Sequence, residues 1–482
     1  MKELIIILVM ERLKCQKTKK AIEEALRHFQ MIYYTKERKQ YMNCECAVCK
    51  EQKPIVIPKE ILDAAQNGEL VLFCGAGIST ENKSVLPFSF YKEVQKELGI
   101  TDNTLSFSKL MQMYCDLPNG RRKLLKKIKE RFEYIHSFPE LERAATKFHH
   151  ELAELYFIKT IITTNWDTYF EKCCAATPIT TPEDYVFWDE NERCVLKIHG
   201  SINNIGSIIA TEDDYAKCAK SLEKGIIGAV LKTILARRTV VFIGFSFGDE
   251  DFSQIIAYLQ AELKEIMPHI YIVTIDEKLN SKLNYKNSTY ILTDGTYFLH
   301  QLKLEMLERK LIENCDTLPI IEVVNSAIND LHNKISHISI HMYPCVIYCL
   351  AYQDGIIHAF ERFIQLYNTG NYNMPGIMLS SARAYDDIKQ KCTDSKNYWD
   401  EAYYEGYLNA LILIASCEKD RDIIKEFPYT YLPNAKCVLD SYDTFFKELE
   451  RVTKKDDKYH KYAKSIVDKL KEPDIVVHHP PY

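Results

Sequence analysis

Glycine is scarce in this sequence, with only 16 in 482 residues. An average composition of about 7% glycine would give roughly twice that number. Apolar residues make up 46% of the chain and charged residues 27%, which is ordinary globular usage and excludes a wholly disordered protein. A cluster of glycines in such a chain therefore requires a local structural reason.

An excess of basic charge is also lacking. The 62 Lys and Arg residues are outnumbered by 67 Asp and Glu residues, for a formal net charge of −5. This balance argues against a protein whose main task is to coat DNA or RNA. The one strongly basic stretch, residues 121–129, is interpreted as the solvated face of an amphipathic helix. Direct binding of nucleic acid is not expected.

Long apolar runs are missing as well, since no segment approaches the roughly 20 apolar residues of a membrane-spanning helix. Residues 338–352 come nearest, but His341 and Pro344 interrupt them. Residues 4–10 are apolar, yet the charges before them are mixed and no small-residue cleavage site follows. We therefore expect a soluble cytoplasmic protein with no membrane partner.

Cysteine is plentiful but scattered, with 16 along a long chain. Disulfide scaffolds are short and cysteine-dense, so we interpret most of these residues as reduced thiols of a cytosolic core. Cys44, Cys46 and Cys49 stand apart, because their spacing could supply three thiolate ligands to zinc. No obvious fourth ligand lies nearby, and a cysteine-rich loop or redox-sensitive turn is the preferred interpretation.

The hydrophobic periodicity and composition of the sequence divide the chain into four regions. Residues 1–50 read as a basic amphipathic helix followed by the cysteine-rich turn. Residues 51–311 alternate short apolar runs with helical stretches, which predicts a doubly wound, parallel-sheet α/β domain of the Rossmann-like kind. Residues 312–475 show helical periodicity and are predicted to form an α-helical domain, and residues 476–482 an unstructured tail. The predicted strands are 70–74, 160–163, 194–198, 239–243, 270–275 and 290–292.

Four of these strands run into polar or glycine-containing motifs, at the sheet edge where open α/β proteins bind ligands. The motifs are Gly-Ala-Gly-Ile-Ser-Thr at 75–80, Thr-Thr-Asn-Trp-Asp at 163–167, Lys-Ile-His-Gly-Ser at 197–201 and Gly-Phe-Ser-Phe-Gly-Asp-Glu-Asp at 244–251. Each alone has a structural alternative: a tight turn, an Asx-turn or helix cap, or a structural histidine. Glycines in the first motif would let the backbone approach a pyrophosphate and donate N–H groups to it. Thr80 stands where the dinucleotide fingerprint has its third glycine.

Taken together, in their order and spacing, the four motifs resemble the sirtuin-like proteins of bacterial anti-phage defence, over residues 57–311. The resemblance implies a sirtuin-type fold and NAD as the substrate. It also implies two groups of binding residues: Gly75, Ala76, Gly77 and Ser79 for the NAD phosphates and ribose, and Gly244, Ser246 and Asp249 for the adenosine half.

The same resemblance also implies which residues contact the nicotinamide half of NAD. Asn165 would orient the nicotinamide ribose or an attacking water, and His199 would be the catalytic base facing the ribose hydroxyls. Trp166 and Asp167 would line the nicotinamide pocket, with Asp167 accepting a hydrogen bond from the carboxamide, and Thr164 would join the binding residues. Cleavage of the glycosidic bond builds positive charge on the ribose, which a neutral imidazole and a fixed amide can stabilise.

The chain departs from the protein-deacylating sirtuins directly after the histidine. Those enzymes carry two Cys-x-x-Cys pairs there that bind zinc, whereas this chain has Ile202, Asn203 and Asn204 and then Cys218 alone. No metal is therefore expected in the catalytic domain, and water is the expected nucleophile in place of an acyl-lysine. The prediction is an NAD glycohydrolase that releases nicotinamide and ADP-ribose and depletes NAD during abortive infection.

Two alternatives stay open: an NAD-dependent deacylase or ADP-ribosyltransferase, and a non-catalytic NAD-sensing module. Because a depleting enzyme must be held inactive in healthy cells, the helical domain is predicted to serve oligomerisation or trigger sensing. Relatives in this family commonly form homo-oligomers or assemble with a ring ATPase encoded alongside. The resemblance implies partners of the same kind here.

Overall fold

The computed structural model describes residues 52–189, 191–245, 257, 261, 268–277, 287–312, 317–374, 376–416, 427–470 and 477–480. These residues belong to two compact units. The sheet unit comprises the described residues up to 312 together with 368–370, and the helical unit comprises the others. The predicted N-terminal helix and the Cys44, Cys46 and Cys49 cluster lie outside the described residues.

The sheet unit is built on seven parallel strands in the order β3-β4-β2-β1-β5-β6-β7. From the central β1 the chain moves first to β2 on one side and later to β5 on the other. This arrangement confirms the predicted doubly wound α/β fold, and it gathers the carboxyl ends of β1, β2, β4 and β5 at one edge. The strands are β1 Leu70–Cys74, β2 Thr160–Thr163, β3 Thr177–Ile179, β4 Cys194–Lys197, β5 Thr239–Ile243, β6 Ile270–Thr274 and β7 Ser288–Leu292.

The apolar runs form strands here because both faces of the sheet are covered. Every residue of β1 and β6 is buried, as expected for inner strands of a parallel sheet. Phe73 of β1 stacks on Phe242 of β5 with ring centroids 5.0 Å apart. The short β3 was not predicted, since it holds only three residues and contains Pro178. Proline is tolerated in β3 because that strand lies at the edge of the sheet.

Nine helices in the described part of the sheet unit connect or follow these strands. Several begin at a side-chain cap: Ser89 and Ser106 accept from backbone N–H groups three residues on, and Asp294 does so at the last helix. The helices are α1 Lys59–Gln66, α2 Phe90–Glu97, α3 Phe107–Cys115, α4 Gly120–Ser137, α5 Pro139–Glu154, α6 Tyr169–Cys174, α7 Glu212–Lys224, α8 Ile226–Arg237 and α9 Gly295–Glu308.

The helical unit contains six α-helices among its described residues, which confirms the predicted helical C-terminal region. They are α10 Leu318–Ser336, α11 Val346–Tyr367, α12 Ile377–Asp394, α13 Tyr398–Ser416, α14 Tyr442–Thr453 and α15 Lys458–Val467. None of the helices in the described ranges is long and apolar enough to cross a membrane. The core is rich in tyrosine, and α11 and α13 pack along their length around Tyr352 and Tyr403.

Glycine allows this α11–α13 contact. A Cβ atom added at Gly406 would lie 1.9 Å from the carbonyl oxygen of Tyr352, and one at Gly355 would lie 2.1 Å from that of Tyr403. The two helix backbones therefore meet directly, each through a glycine that faces the other helix.

Candidate active site

The carboxyl ends of β1, β2, β4 and β5 surround a cavity of about 750 Å³. This volume falls in the range of roughly 300–1,000 Å³ typical of small-molecule sites. Gly75 and Ser79 are not among the described residues that line it, and Ser246 and Asp249 lie outside the described ranges. The predicted residues that do line the cavity are Ala76, Gly77, Thr164, Asn165, Trp166, Asp167, His199 and Gly244.

The two glycine loops at this edge bind one another. The N–H groups of Gly75 and Gly77 donate to the carbonyl oxygens of Ile243 and Gly244, at 2.9 and 3.0 Å. Gly244 has φ +81°, and a Cβ atom there would lie 2.6 Å from Ile78. These two glycine amides are therefore already used within the protein. Their glycines serve a close approach between backbones, and the predicted N–H donation to a pyrophosphate stays a prediction.

A buried hydrogen-bonded chain holds the Asn165 loop. The Asn165 side-chain amide donates to Ser79 Oγ at 3.3 Å, and Ser79 Oγ donates to Asp167 Oδ2 at 2.9 Å. The backbone N–H of Asn165 donates to Thr163 Oγ1 at 3.0 Å. The remaining atom, Asn165 Oδ1, is buried and has no hydrogen-bond partner among the described residues. A buried polar atom without a hydrogen bond costs about 1–3 kcal/mol. A ligand or water that donates a hydrogen bond to Asn165 Oδ1 would therefore bind favourably in the cavity.

Asp167 has a structural task of its own. Its Oδ1 accepts from the backbone N–H of Tyr169 at 3.2 Å, the Asx-turn that the sequence left as an alternative. Because Oδ2 accepts from Ser79, both oxygens already have partners within the protein. The side chain positions Asn165 through Ser79, and its predicted contact with a carboxamide stays a prediction.

Lys197, the last residue of β4, supports the same loop from behind. Its fully buried ammonium group donates to the backbone carbonyl of Asp167 and pairs with Glu171 Oε1 at 3.0 Å. Burial raises the pKa of the Glu171 carboxyl, although Lys197 partly offsets this effect. The sequence did not identify Lys197 as a site residue. The available signal was a lysine ending an otherwise apolar strand, where an unpaired charge would be costly.

Trp166 closes one wall of the cavity. Its half-buried ring packs against Phe90 and Phe107, with centroids 6.4 and 6.2 Å away. Its backbone carbonyl accepts from the N–H of Ile202 at 2.8 Å, which ties the β2 loop to the β4 loop. Indole Nε1 is buried without a hydrogen-bond partner in the described residues, a second polar atom suited to a ligand.

His199 follows β4 and contributes to the same cavity. It is buried, and its ring meets Tyr215 of α7 edge to face, with centroids 5.1 Å apart. Tyr215 also lines the cavity and was missed by the sequence, since it lies 16 residues on and in a different element. Residues 198–211 connect β4 to α7 through a tight turn closed by Ser201 and Asn204 and a short helical turn at Ile205–Ser207. This connection leaves no space for an inserted lobe.

The opposite wall holds a buried ion-pair network. Arg131 of α4 pairs with Glu81 at 3.1 Å and with Glu93 at 3.4 Å, and Glu81 retains a raised pKa because of its burial. Lys127 pairs with Glu93 and Glu97, both at 2.9 Å. Two basic residues of α4, Lys127 and Arg131, are thus paired with carboxylates of α2.

Comparison with known proteins finds a family whose domain is similar to part of this chain. Residues 159–292 match the model of the SIR2-like domain. This part of the chain is similar to SIR2-like domains. The resemblance to sirtuin-like defence proteins, inferred from the four motifs, is thereby confirmed.

Three curated relatives are similar at low identity. The chain is 22% identical to defense-associated sirtuin 2 of Bacillus subtilis over 264 residues, which are 52% of this chain and 25% of that protein. It is 28% identical to the NAD(+) hydrolase ThsA of Enterococcus faecium over 231 residues, 45% of this chain and 46% of that protein. The ThsA of Bacillus cereus is 22% identical over 291 residues, 58% of either chain. The match spans from a quarter to about three fifths of these relatives.

Proposed function

We propose that this chain hydrolyses NAD at the bond between nicotinamide and ribose, giving nicotinamide and ADP-ribose. The observation that carries the proposal is that the side chains of Asn165 and His199 line the same cavity. Asn165 presents a buried, unpartnered carbonyl oxygen beside the space that His199 also lines. Relatives named NAD(+) hydrolase support the substrate.

The reaction divides between these two side chains. As the glycosidic bond breaks, its electron pair leaves with nicotinamide and positive charge develops on the ribose. A water whose hydrogen is held by Asn165 Oδ1 attacks the anomeric carbon, and the neutral imidazole of His199 accepts the proton. The Ser79–Asp167 chain fixes the Asn165 amide, so that no reorganisation is needed during the reaction. General base help of this kind contributes about 10²–10⁴ in rate.

Water is the proposed acceptor because of the connection that follows His199. The acyl-lysine channel of deacylating sirtuins depends on a zinc lobe inserted after this histidine, whereas here residues 198–211 lead directly from β4 to α7 through short turns. Deacylation or ADP-ribosyl transfer is the alternative within enzymes, and NAD sensing without turnover is the alternative of another class. No specific observation favours either of these two alternatives.

We further propose that the hydrolysis depletes NAD in infected bacterial cells, as the names of the relatives suggest. In this proposal the protein is cytoplasmic and works as a homo-oligomer or together with a ring ATPase encoded nearby. The helical unit would keep the NAD turnover of the enzyme at a low basal rate until infection. Removal of residues 313–482 should then change native mass, NAD turnover or toxicity, and the proposed control is wrong if all three stay unchanged.

Nicotinamide release from NAD by the purified full chain tests the reaction, with and without an acetylated peptide. Release with NAD alone, at a rate that the peptide does not change, is the expected result. Release that requires the peptide would identify a deacylase. Tight NAD binding with no release, alone or with the neighbouring gene product, would identify a sensor.

A further inference from the structure

Three side chains of the helical unit bring metal-ligating atoms together. They come from three places: His332 near the end of α10, Asp354 in the middle of α11, and His478 in the described segment 477–480. His332 Nε2 lies 3.3 Å from His478 Nδ1 and 3.5 Å from Asp354 Oδ1. His478 Nδ1 lies 3.2 Å from the same Asp354 oxygen.

These three distances describe the face of a tetrahedron. Zinc binds histidine nitrogen and carboxylate oxygen at about 2.0–2.2 Å, so two ligands of a tetrahedral site lie roughly 3.3–3.5 Å apart. The observed triangle of 3.2, 3.3 and 3.5 Å matches that spacing on all three sides. Two imidazoles and one carboxylate are also a donor set that zinc and neighbouring transition metals prefer, whereas calcium and magnesium prefer oxygen alone.

The residues behind these ligands orient them. Nδ1 of His332 lies 3.2 Å from Gln353 Oε1, and an amide oxygen only accepts, so Nδ1 carries the proton and Nε2 keeps its lone pair. Asp354 Oδ2 accepts from the backbone N–H of His479 at 2.7 Å, which leaves Oδ1 for the cluster. Partners of this kind accompany metal-binding histidines and carboxylates generally.

The segment that supplies His478 is also held by contacts outside this cluster. His479 is fully buried, stacks on Tyr403 with centroids 4.3 Å apart, and places Nε2 3.0 Å from Asp400 Oδ1. His332 and Asp354 are buried, whereas the side chain of His478 is 59% exposed. The site is therefore preorganised on its inner side and open to solvent on the outer side.

We propose that His332 Nε2, Asp354 Oδ1 and His478 Nδ1 bind one zinc ion, with water in the fourth position on the exposed side. The ion would fasten the segment 477–480 to α10 and α11. It would join ligands 124 residues apart in the chain and so stabilise the folded helical unit by mass action. The proposal does not depend on the reaction of the sheet unit.

Metal binding by the full-length protein tests this site. After chelation and buffer exchange, zinc content and zinc affinity are measured in the unaltered chain and in His478→Ala, whose exposed position lets the variant fold. His341→Ala is the matched control, since it removes an exposed histidine of the same unit. Replacement of Cys44, Cys46 and Cys49 by serine removes the other candidate zinc site predicted from the sequence.

The expected result is one zinc per chain from the histidine site in the unaltered protein, in His341→Ala and in the triple cysteine variant. In the His478→Ala variant made in the triple cysteine variant, we expect at least about tenfold weaker binding and loss of the zinc-dependent rise in unfolding temperature. Cobalt should give a visible spectrum typical of tetrahedral nitrogen and oxygen ligation. The proposal is overturned if zinc binds only through the cysteines, or if the His478→Ala variant binds it as tightly as its parent.

Discussion

The sheet unit and the helical unit use glycine for the same physical purpose, with different consequences. In both units glycine lets two backbones touch: Gly77 meets Gly244 between strand-end loops, and Gly406 meets Tyr352 between helices α11 and α13. What differs is the polar surrounding. Beside the loops lies Asn165 Oδ1, buried and without a hydrogen-bond partner in the described residues.

At the helix contact, the buried hydroxyl of Tyr352 has two hydrogen-bond partners. The hydroxyl of Tyr352 donates to the carbonyl of Pro428 at 2.6 Å and accepts from the amide of Asn409 at 3.1 Å. Glycine therefore marks close backbone contact in either unit, and in the sheet unit this contact lies beside an unpartnered buried oxygen that lines the cavity. Changes in the two units should accordingly separate activity from stability.

Among the changes that compare the two units, Asn165→Ala should have the largest effect, and mainly on activity. Removing one preorganised polar group from an active site typically costs about 10²–10³ in kcat. We expect a loss of that size in nicotinamide release, with little change in the unfolding of the helical unit. The His150→Ala variant, which removes an exposed histidine of α5, serves as the control. If Asn165→Ala retained full activity, the distinction drawn between the two glycine contacts would fail.

Gly406→Ala should affect stability instead. The added Cβ would lie 1.9 Å from a backbone oxygen that cannot move without its helix, so overpacking of about 3 kcal/mol or more is expected. Urea unfolding should detect this loss, while the folded fraction cleaves NAD at the normal rate. Gly244→Ala is the counterpart in the sheet unit, where the strained φ and the contact with Ile78 should lower NAD cleavage as well. Equal effects of both changes on activity would contradict the comparison.

Acid should destabilise the sheet unit through His149. Burial among Phe148, Tyr169 and Phe170 lowers the pKa of this histidine to about 4, below the value of about 6.5 expected when unfolded. The unfolded state then binds the proton more readily, so stability is lost as the pH falls from about 6.5 towards 4, by up to roughly 3 kcal/mol.

The measurement is urea unfolding at pH 7 and pH 4.5 for the unaltered chain and for His149→Phe, which cannot titrate. The variant should lose less stability between the two pH values. Equal losses would show that other groups carry the acid sensitivity.

Tyr352→Phe should have the smallest effect of the set. It removes a hydroxyl that is buried in the helical unit and leaves the Pro428 carbonyl and the Asn409 amide each short of one bond. The expected cost is about 1–2 kcal/mol in the free energy of unfolding. NAD cleavage should stay unchanged, because the hydroxyl belongs to the unit without the cavity. A drop in turnover at equal stability would assign the helical unit a direct part in the reaction.

Much of the sheet could be predicted because inner parallel strands are buried on both faces, which leaves continuous apolar runs such as Leu70–Cys74 in the sequence. The edge strand Thr177–Ile179 has no such signature. At the site, Asn165 and His199 were found from motifs that end strands. Tyr215 was missed because it reaches the cavity from a helix, and sequence spacing does not record that approach.

Local sequence also does not determine which hydrogen-bond partners the polar groups of these motifs find. Ser79 was predicted to bind NAD, yet it is fully buried and donates to Asp167, a partner 88 residues away. The amides of Gly75 and Gly77 donate to the end of β5 and to Gly244, and their predicted contact with phosphate stays a prediction. Both outcomes depend on pairing between distant segments. The assignments of Ser246 and Asp249 stay predictions.

The account rests most directly on His199. Nicotinamide release from NAD should be measured for the full-length chain, for His199→Ala and for the control His150→Ala, at equal folded concentration and with NAD binding determined alongside. The account predicts that His199→Ala binds NAD but releases nicotinamide about 10²–10⁴ times more slowly, whereas His150→Ala is unaffected. A His199→Ala variant that released nicotinamide at the unaltered rate would contradict the proposed reaction at this cavity.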